Sequence, residues 1–216
     1  DLSDIQQTYF QLAFARKPEY MERSTDTEFS IQNYREADKR LAAYERISAK
    51  AEAILNKLDK EAVPAFFQLV YYNVKGAALV NQMTLNAQKN RLYASQKRSA
   101  ANLLRSRVKA YGDSLEIITK RYNSLLNGKW QGMMSLIHGG ARSFERARTD
   151  SVSLSPVPTL GVSCEAADNM KGVSNVHVIP CFNKYLPQSY YVDVFNSGMG
   201  KLKWKAVPSD PWILVN

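Results

Sequence analysis

Two histidines, two cysteines and one glycine-rich turn are the chemistry-bearing features this sequence sets apart from a background of abundant Lys, Arg, Asp and Glu. His138 and His177 stand in no Glu-x-x-His pair, so the ligand set of a di-metal helical bundle is missing. There is no C-x-x-C, H-E-x-x-H or G-x-S-x-G and no phosphate-cradling glycine loop, and Gly139-Gly140 alone specifies nothing. Residue type permits a carboxylate pair for glycoside cleavage, but no spacing singles one out. The sequence therefore predicts no catalytic residue, no metal site and no cofactor of the chain's own.

One segment is unusual: Asn127-Gly128-Lys129-Trp130-Gln131-Gly132-Met133-Met134-Ser135-Leu136-Ile137-His138-Gly139-Gly140 crowds Trp, Met and His among glycines directly after a helix. A solvent loop favours Ser, Asn and Asp, so such residues need cover. Two readings follow. Trp130 and Met133 plug the open end of a bundle while the glycines turn the chain. Alternatively the segment faces a ligand or a partner, with Trp130 stacking on a sugar face, His138 donating a hydrogen bond and Lys129 beside them. Lys129, Trp130 and His138 are thus the candidate substrate-facing or interface-facing residues, and the second reading leaves some of Trp130, Met133 or Met134 exposed.

The elements that must position them divide the chain into two segments. Residues 1 to 150 are rich in Ala, Leu, Lys, Arg and Glu, whereas six of the eight prolines fall in residues 151 to 216 among clustered Val and Tyr. This predicts an α+β chain, an antiparallel long-helix bundle over 1–150 followed by a partial β-sandwich over 151–216. Asp4 is placed to cap a first helix that Pro18 stops. Asn33 and Glu36 read as a capping box for a second helix of about six turns, with Leu41, Tyr44, Ile47, Ala51, Ile54 and Leu58 as its stripe. Asp59 is placed to cap a third, striped by Val63, Phe67, Val70, Val74 and Ala77 and running to about Gln96, with a bend allowed at Gly76. Ser99 opens a fourth whose Leu104, Val108, Tyr111, Leu115, Ile118, Tyr122 and Leu125 keep a heptad alternation up to Asn127-Gly128. Residues 151 to 158 read as an extended linker, and strands are expected at 160–164, 176–179, 190–195, 202–206 and 212–215.

Charge and cysteines bound the function further. Residues 151 to 216 hold five lysines against four acids, so the surplus lies in the first 150 residues, with 24 basic against 16 acidic side chains. These cations are mixed with Glu and Asp, the pattern of solvated helices rather than of a nucleic-acid surface. No apolar run reaches 18 residues, so no membrane span is expected, and no signal peptide is visible. Cys164 and Cys181 either close one disulfide in an oxidising compartment or remain two thiols.

Five short stretches carry a family resemblance: Asn33-Tyr34-Arg35-Glu36-Ala37-Asp38, Ala65-Phe66-Phe67-Gln68-Leu69-Val70, Lys89-Asn90-Arg91-Leu92-Tyr93-Ala94, Gly128-Lys129-Trp130 with Met133-Met134 and His138, and Tyr191-Val192-Asp193-Val194-Phe195-Asn196. In their order and intervals the sequence resembles glycoside hydrolase family 115, the xylan α-1,2-glucuronidases. The resemblance implies a large periplasmic or secreted enzyme whose catalytic acids lie in an upstream barrel domain, with this chain supplying the helical bundle and the start of the sandwich. The implied partners are that barrel and a xylan-type carbohydrate bound through the parent protein, while the 129–140 segment allows a second copy in a homodimer. The family usually continues after Met-Met with Asp-Gln-Thr-His-Ile-Gly-Tyr, where this chain keeps only His138 and Gly140. That departure implies a divergent member with altered substrate or lost activity, and no catalytic residue is carried over. From a different class, the heptads support a non-catalytic helical interaction module.

Overall fold

The computed structural model describes residues 2–21, 26–138, 141–142, 147–165 and 178–213. Its helices are α1 (Leu2–Ala15), α2 (Glu36–Leu55), α3 (Val63–Phe66), α4 (Tyr72–Ser95) and α5 (Ala100–Gly128). Its strands are β1 (Ile137–His138), β2 (Ala141–Arg142), β3 (Leu160–Cys164) and β4 (Val192–Asn196). The architecture is the expected α+β one, a long-helix bundle followed by a small antiparallel sheet.

Side-chain pairs fix the antiparallel order. Asp4 on α1 meets Arg46 and Lys50 on α2 at 2.9 and 2.7 Å. Asp38 and Glu52 on α2 meet Lys89 and Lys75 on α4, at 2.9 and 3.8 Å. Tyr72, at the start of α4, shares a 3.0 Å hydrogen bond with Thr119 near the end of α5. α4 is therefore central, packed on both α2 and α5. That position explains why its apolar stripe fades: Asn81, Thr84 and Asn90 are buried in it along with Leu79, Val80 and Leu85. A helix covered on several sides needs no single apolar stripe, provided its buried polar groups find partners.

Several helix ends differ from the sequence expectation. α1 stops before Pro18, and Lys17 is extended at φ −65 and ψ 141, as the residue before a proline must be. Asp4, however, lies within the first turn of α1 and serves as an ion-pair partner, its carboxyl held below the ordinary value chiefly by the hydrogen bond from Lys50. The Asn33–Glu36 capping box does not form, and a pair of hydrogen bonds centred on Ser30 stands in its place. The Ser30 hydroxyl accepts the Asn33 N–H at 2.8 Å and Glu36 reaches back to accept the Ser30 N–H at 2.8 Å. Between them Tyr34 and Arg35 take positive φ, 57 and 50 degrees, so α2 begins only at Glu36. Its buried face is Ala37, Arg40, Tyr44, Ile47, Ser48, Ala51 and Leu55, so Leu41 and Ile54 pack only at the margin and Leu58 lies beyond the helix.

Ala62, not Asp59, is the N-cap of α3, with no side-chain hydrogen bond. The expected third helix runs on as α3, a π-helical segment Phe67–Tyr71 and α4. Its irregularity sits at that segment, where Arg121 of α5 lies 4.5 Å over the Phe67 ring, while Gly76 passes within a regular helix. Ser99 is the N-cap of α5, though its side chain makes no cap bond. Leu115, Ile118 and Tyr122 are buried as expected, and Tyr111 and Leu125 pack against the core half-buried.

β3 and β4 pair antiparallel with Leu160 opposite Asn196 and Cys164 opposite Val192. Residues 202–206 form no strand, nor do 178–179 or 212–213, while 176–177 and 214–215 lie outside the described residues. Among the described residues no second layer packs over those apolar runs to order them into a ladder. Cys164 is buried, Cys181 is exposed, and both are free thiols. Among the described residues no helix is long and apolar enough to cross a membrane.

Candidate functional site

The glycine-rich segment starts with a left-handed turn. Leu126, Asn127 and Gly128 all take positive φ, so the regular part of α5 ends before them and the chain reverses across the bundle end. Lys129 sits with its ammonium 5.2 Å from the Trp130 ring centroid, so the structure brings these two candidates together. Trp130, Met134 and Leu136 pack half-buried on the main core, whereas Met133 is 59% exposed. Asn123 on α5 fixes the return, its amide donating to the Met134 carbonyl at 2.6 Å and accepting the Met134 N–H at 3.2 Å. Trp130 and Met134 thus behave as the edge of a plug and Met133 does not. His138 has its backbone in β1, paired with Ala141; its side chain falls outside the described residues, as do Gly139 and Gly140.

A second site lies at the opposite end of the bundle, where β3 and β4 meet the start of α2 and the end of α4. Gln32 donates to the Ser163 hydroxyl at 2.9 Å, and the Tyr191 hydroxyl donates to the Gln32 carbonyl. Buried Glu165 accepts the backbone N–H groups of Tyr34 at 2.7 Å and Tyr191 at 3.3 Å. Arg98, also buried, is stacked between the Tyr93 and Phe195 rings at 4.3 and 4.0 Å and ion-paired with Asp193 at 2.9 Å. These contacts enclose a cavity of about 180 Å³ lined by Gln32, Arg35, Asp38, Lys89, Tyr93, Tyr191 and their neighbours. Lys89 is engaged by Asp38, and Arg98 by Asp193. Arg35 lies 5.1 Å over the Tyr191 ring and has no carboxylate partner among the described residues.

Sequence reasoning about chemistry did not find this cavity, because its residues come from three distant places and none belongs to a catalytic motif. The stretches 33–38, 89–94 and 191–196, three of the five behind the resemblance, all converge on it. The signal was present as sequence, and only the fold makes it a place. Among the described residues no three of His, Cys, Asp and Glu gather closely enough to hold a metal ion.

Among solved structures the chain is similar to a family GH115 4-O-methyl-α-glucuronidase, BtGH115A, described as having specificity for decorated arabinogalactans. The identity is 29%, the match covers 70% of this chain and 20% of that one, and the TM-score is 0.56. The chain thus spans about a fifth of that neighbour's length. No family model and no curated protein matches the sequence.

Proposed function

We propose that this chain is an accessory helical and β region of an α-glucuronidase-like glycoside hydrolase, with the hydrolytic carboxylates in a barrel domain outside it. The observation that carries the reading is the structural similarity at 29% identity over 70% of the chain. We place residues 1–150 in a bundle domain and 151–216 in an incomplete sandwich-like domain, with Lys129, Trp130 and His138 facing the barrel, the substrate or a second copy. The parent is periplasmic or secreted and removes glucuronic acid or its 4-O-methyl form from polysaccharide side chains. Xylan is the substrate the resemblance implies, and the neighbour's arabinogalactan preference makes that the second polymer to assay.

The test uses the full-length parent on glucuronoxylan and on decorated arabinogalactan, with the 216-residue chain assayed alongside. Release of glucuronate by the parent and none by the chain is expected. Turnover by the chain alone, abolished by changing one of its own acids, would overturn the assignment.

One observation favours the non-catalytic interaction reading. Phe10 and Phe14 stand one helical turn apart on α1 and are 65% and 95% exposed, an aromatic pair that water alone leaves uncovered. A parent that cleaves neither polymer but co-purifies with a partner lost on changing both to Ser would establish that alternative.

A further inference from the structure

We propose that the cavity between the bundle and the β3–β4 pair is a binding site for one acidic sugar residue, whose carboxylate is received by Arg35. The sugar part of this proposal rests on the α-glucuronidase reading; the carboxylate part rests on the cavity alone.

Three cations and two acids line the cavity, and the structure pairs them off. Asp38 takes Lys89 and Asp193 takes Arg98, each at 2.9 Å, which leaves Arg35 as the cation without a carboxylate among the described residues. A guanidinium lying over an aromatic ring keeps its N–H edges for acceptors in its own plane, the geometry that grips a carboxylate with two parallel bonds. The Arg35 guanidinium carbon stands 5.1 Å from the Tyr191 ring centroid, and Tyr191 is itself tied by its hydroxyl to the Gln32 carbonyl. The platform is therefore in place before any ligand arrives, which lowers the ordering cost of binding.

The backbone beneath Arg35 is also unusual. Tyr34 and Arg35 are successive non-glycine residues at φ 57 and 50 degrees, each costing about 1–2 kcal/mol relative to ordinary helical geometry. Buried Glu165 holds the pair by accepting the Tyr34 N–H at 2.7 Å. Strain kept at a spot where a polar cavity opens is a mark of a working surface. At about 180 Å³ the cavity is smaller than the roughly 300–1,000 Å³ of sites for drug-sized ligands, so it suits one sugar acid and not an oligosaccharide. Tyr93, Tyr191 and Gln32 also line the cavity and would lie beside the hydroxylated remainder.

Binding of sodium D-glucuronate to the 216-residue chain, followed by NMR shift perturbation and calorimetry with D-glucose and sodium acetate as controls, tests this. Glucuronate should bind in about the millimolar range and glucose at least about tenfold more weakly, with perturbations centred on Tyr93 and Tyr191. Arg35→Gly removes the cation while suiting the positive φ, so the fold persists and glucuronate affinity falls about tenfold or more. Arg35→Lys restores part of it. Equal binding of glucose and glucuronate, or unchanged affinity in Arg35→Gly, would overturn the proposal. Acetate binding as tightly as glucuronate would remove the sugar and overturn it as stated. Glucuronate binding here together with a parent inactive on both polymers would keep this site and remove the glycosidase reading.

Discussion

Arg40 on α2 and Asn81 on α4 meet through a 2.7 Å hydrogen bond in the buried centre of the bundle, and no carboxylate among the described residues accompanies the guanidinium. Its other N–H groups go to the carbonyls of Leu12 and Arg16 at 3.0 and 2.9 Å, the open C-terminal end of α1. The negative end of a helix thus stands where a counter-ion would. The Phe29 and Tyr44 rings, 4.5 and 5.2 Å away, cover the cation. Arg40→Met should destabilise the chain by about 2–4 kcal/mol, because three acceptors lose their donor at about 1–3 kcal/mol each, offset by relief of a desolvated charge. Urea unfolding measures it, and a neutral result would mean that the carbonyls at the end of α1 rehydrate freely.

How far the bundle could be read in advance follows from cases like this one. The apolar periodicity of α5 was legible because Leu115, Ile118 and Tyr122 face one partner helix. The buried face of α2 was legible in part: Tyr44, Ile47 and Ala51 belong to the expected stripe, but the face also includes Arg40 and Ser48, residues whose types argue for solvent. The three positive-φ positions that end α5 were legible only through Asn127-Gly128, and the two at Tyr34 and Arg35 not at all, as neither residue type favours that region.

Tyr44 makes the core sensitive to alkali. Its hydroxyl is buried without a hydrogen-bond partner, and burial pushes the phenol up to about 12. In the unfolded chain the phenol loses its proton near 10. Stability is therefore unaffected by this group below about pH 10 and falls as pH rises toward 12, because the unfolded state then releases a proton that the folded state retains. Two pH units correspond to a loss on the order of 2–3 kcal/mol. Tyr44→Phe should flatten much of that decline and raise stability near neutrality by about 1 kcal/mol, since an unpartnered hydroxyl is removed. Denaturant melts at pH 8, 10 and 11.5 compare the two proteins. An identical alkaline decline in both would assign it to Tyr9, Tyr71 and Tyr72, whose phenols burial also raises.

Asparagines act here as substitute strand edges. The Asn90 amide donates to the Ala101 and Asp150 carbonyls at 2.8 and 3.0 Å and accepts the Asp150 N–H at 2.7 Å. Asn102 does the same for Val152, donating at 2.9 Å and accepting at 3.0 Å. The stretch expected as an extended linker is thus docked on α5 at Val152, and Asp150, just before it, on α4. Asn90→Asp replaces two donors with a carboxylate facing two carbonyls, and should cost about 2–4 kcal/mol, more than Asn102→Ala at the half-buried neighbour. Amide hydrogen exchange should show protection lost at Asp150 in the first variant and at Val152 in the second. Protection surviving in both would mean the linker is held by something other than these amides.

The β3–β4 pair shows the same dependence on an unobtrusive residue. Gly161 faces Phe195 across the β3–β4 pair, and a Cβ built on Gly161 would lie 2.2 Å from the Phe195 ring. The ring fills the space that a side chain would take, and Arg98, the residue that holds Asp193 at the cavity, lies over it at 4.0 Å. Gly161→Ala must push Phe195 aside, so it should cost about 1–3 kcal/mol and loosen Arg98 with it. Phe195→Leu alone should cost a similar amount through lost packing and lost stacking on the guanidinium. Combining them should be cheaper than the sum of the two by about 1 kcal/mol or more, because the smaller side chain vacates the place the new methyl needs. A double-mutant cycle on unfolding free energies reads this directly. Strict additivity would show that Gly161 and Phe195 do not compete for one volume, and the route from this glycine through Phe195 to Arg98 and the cavity would fall with it.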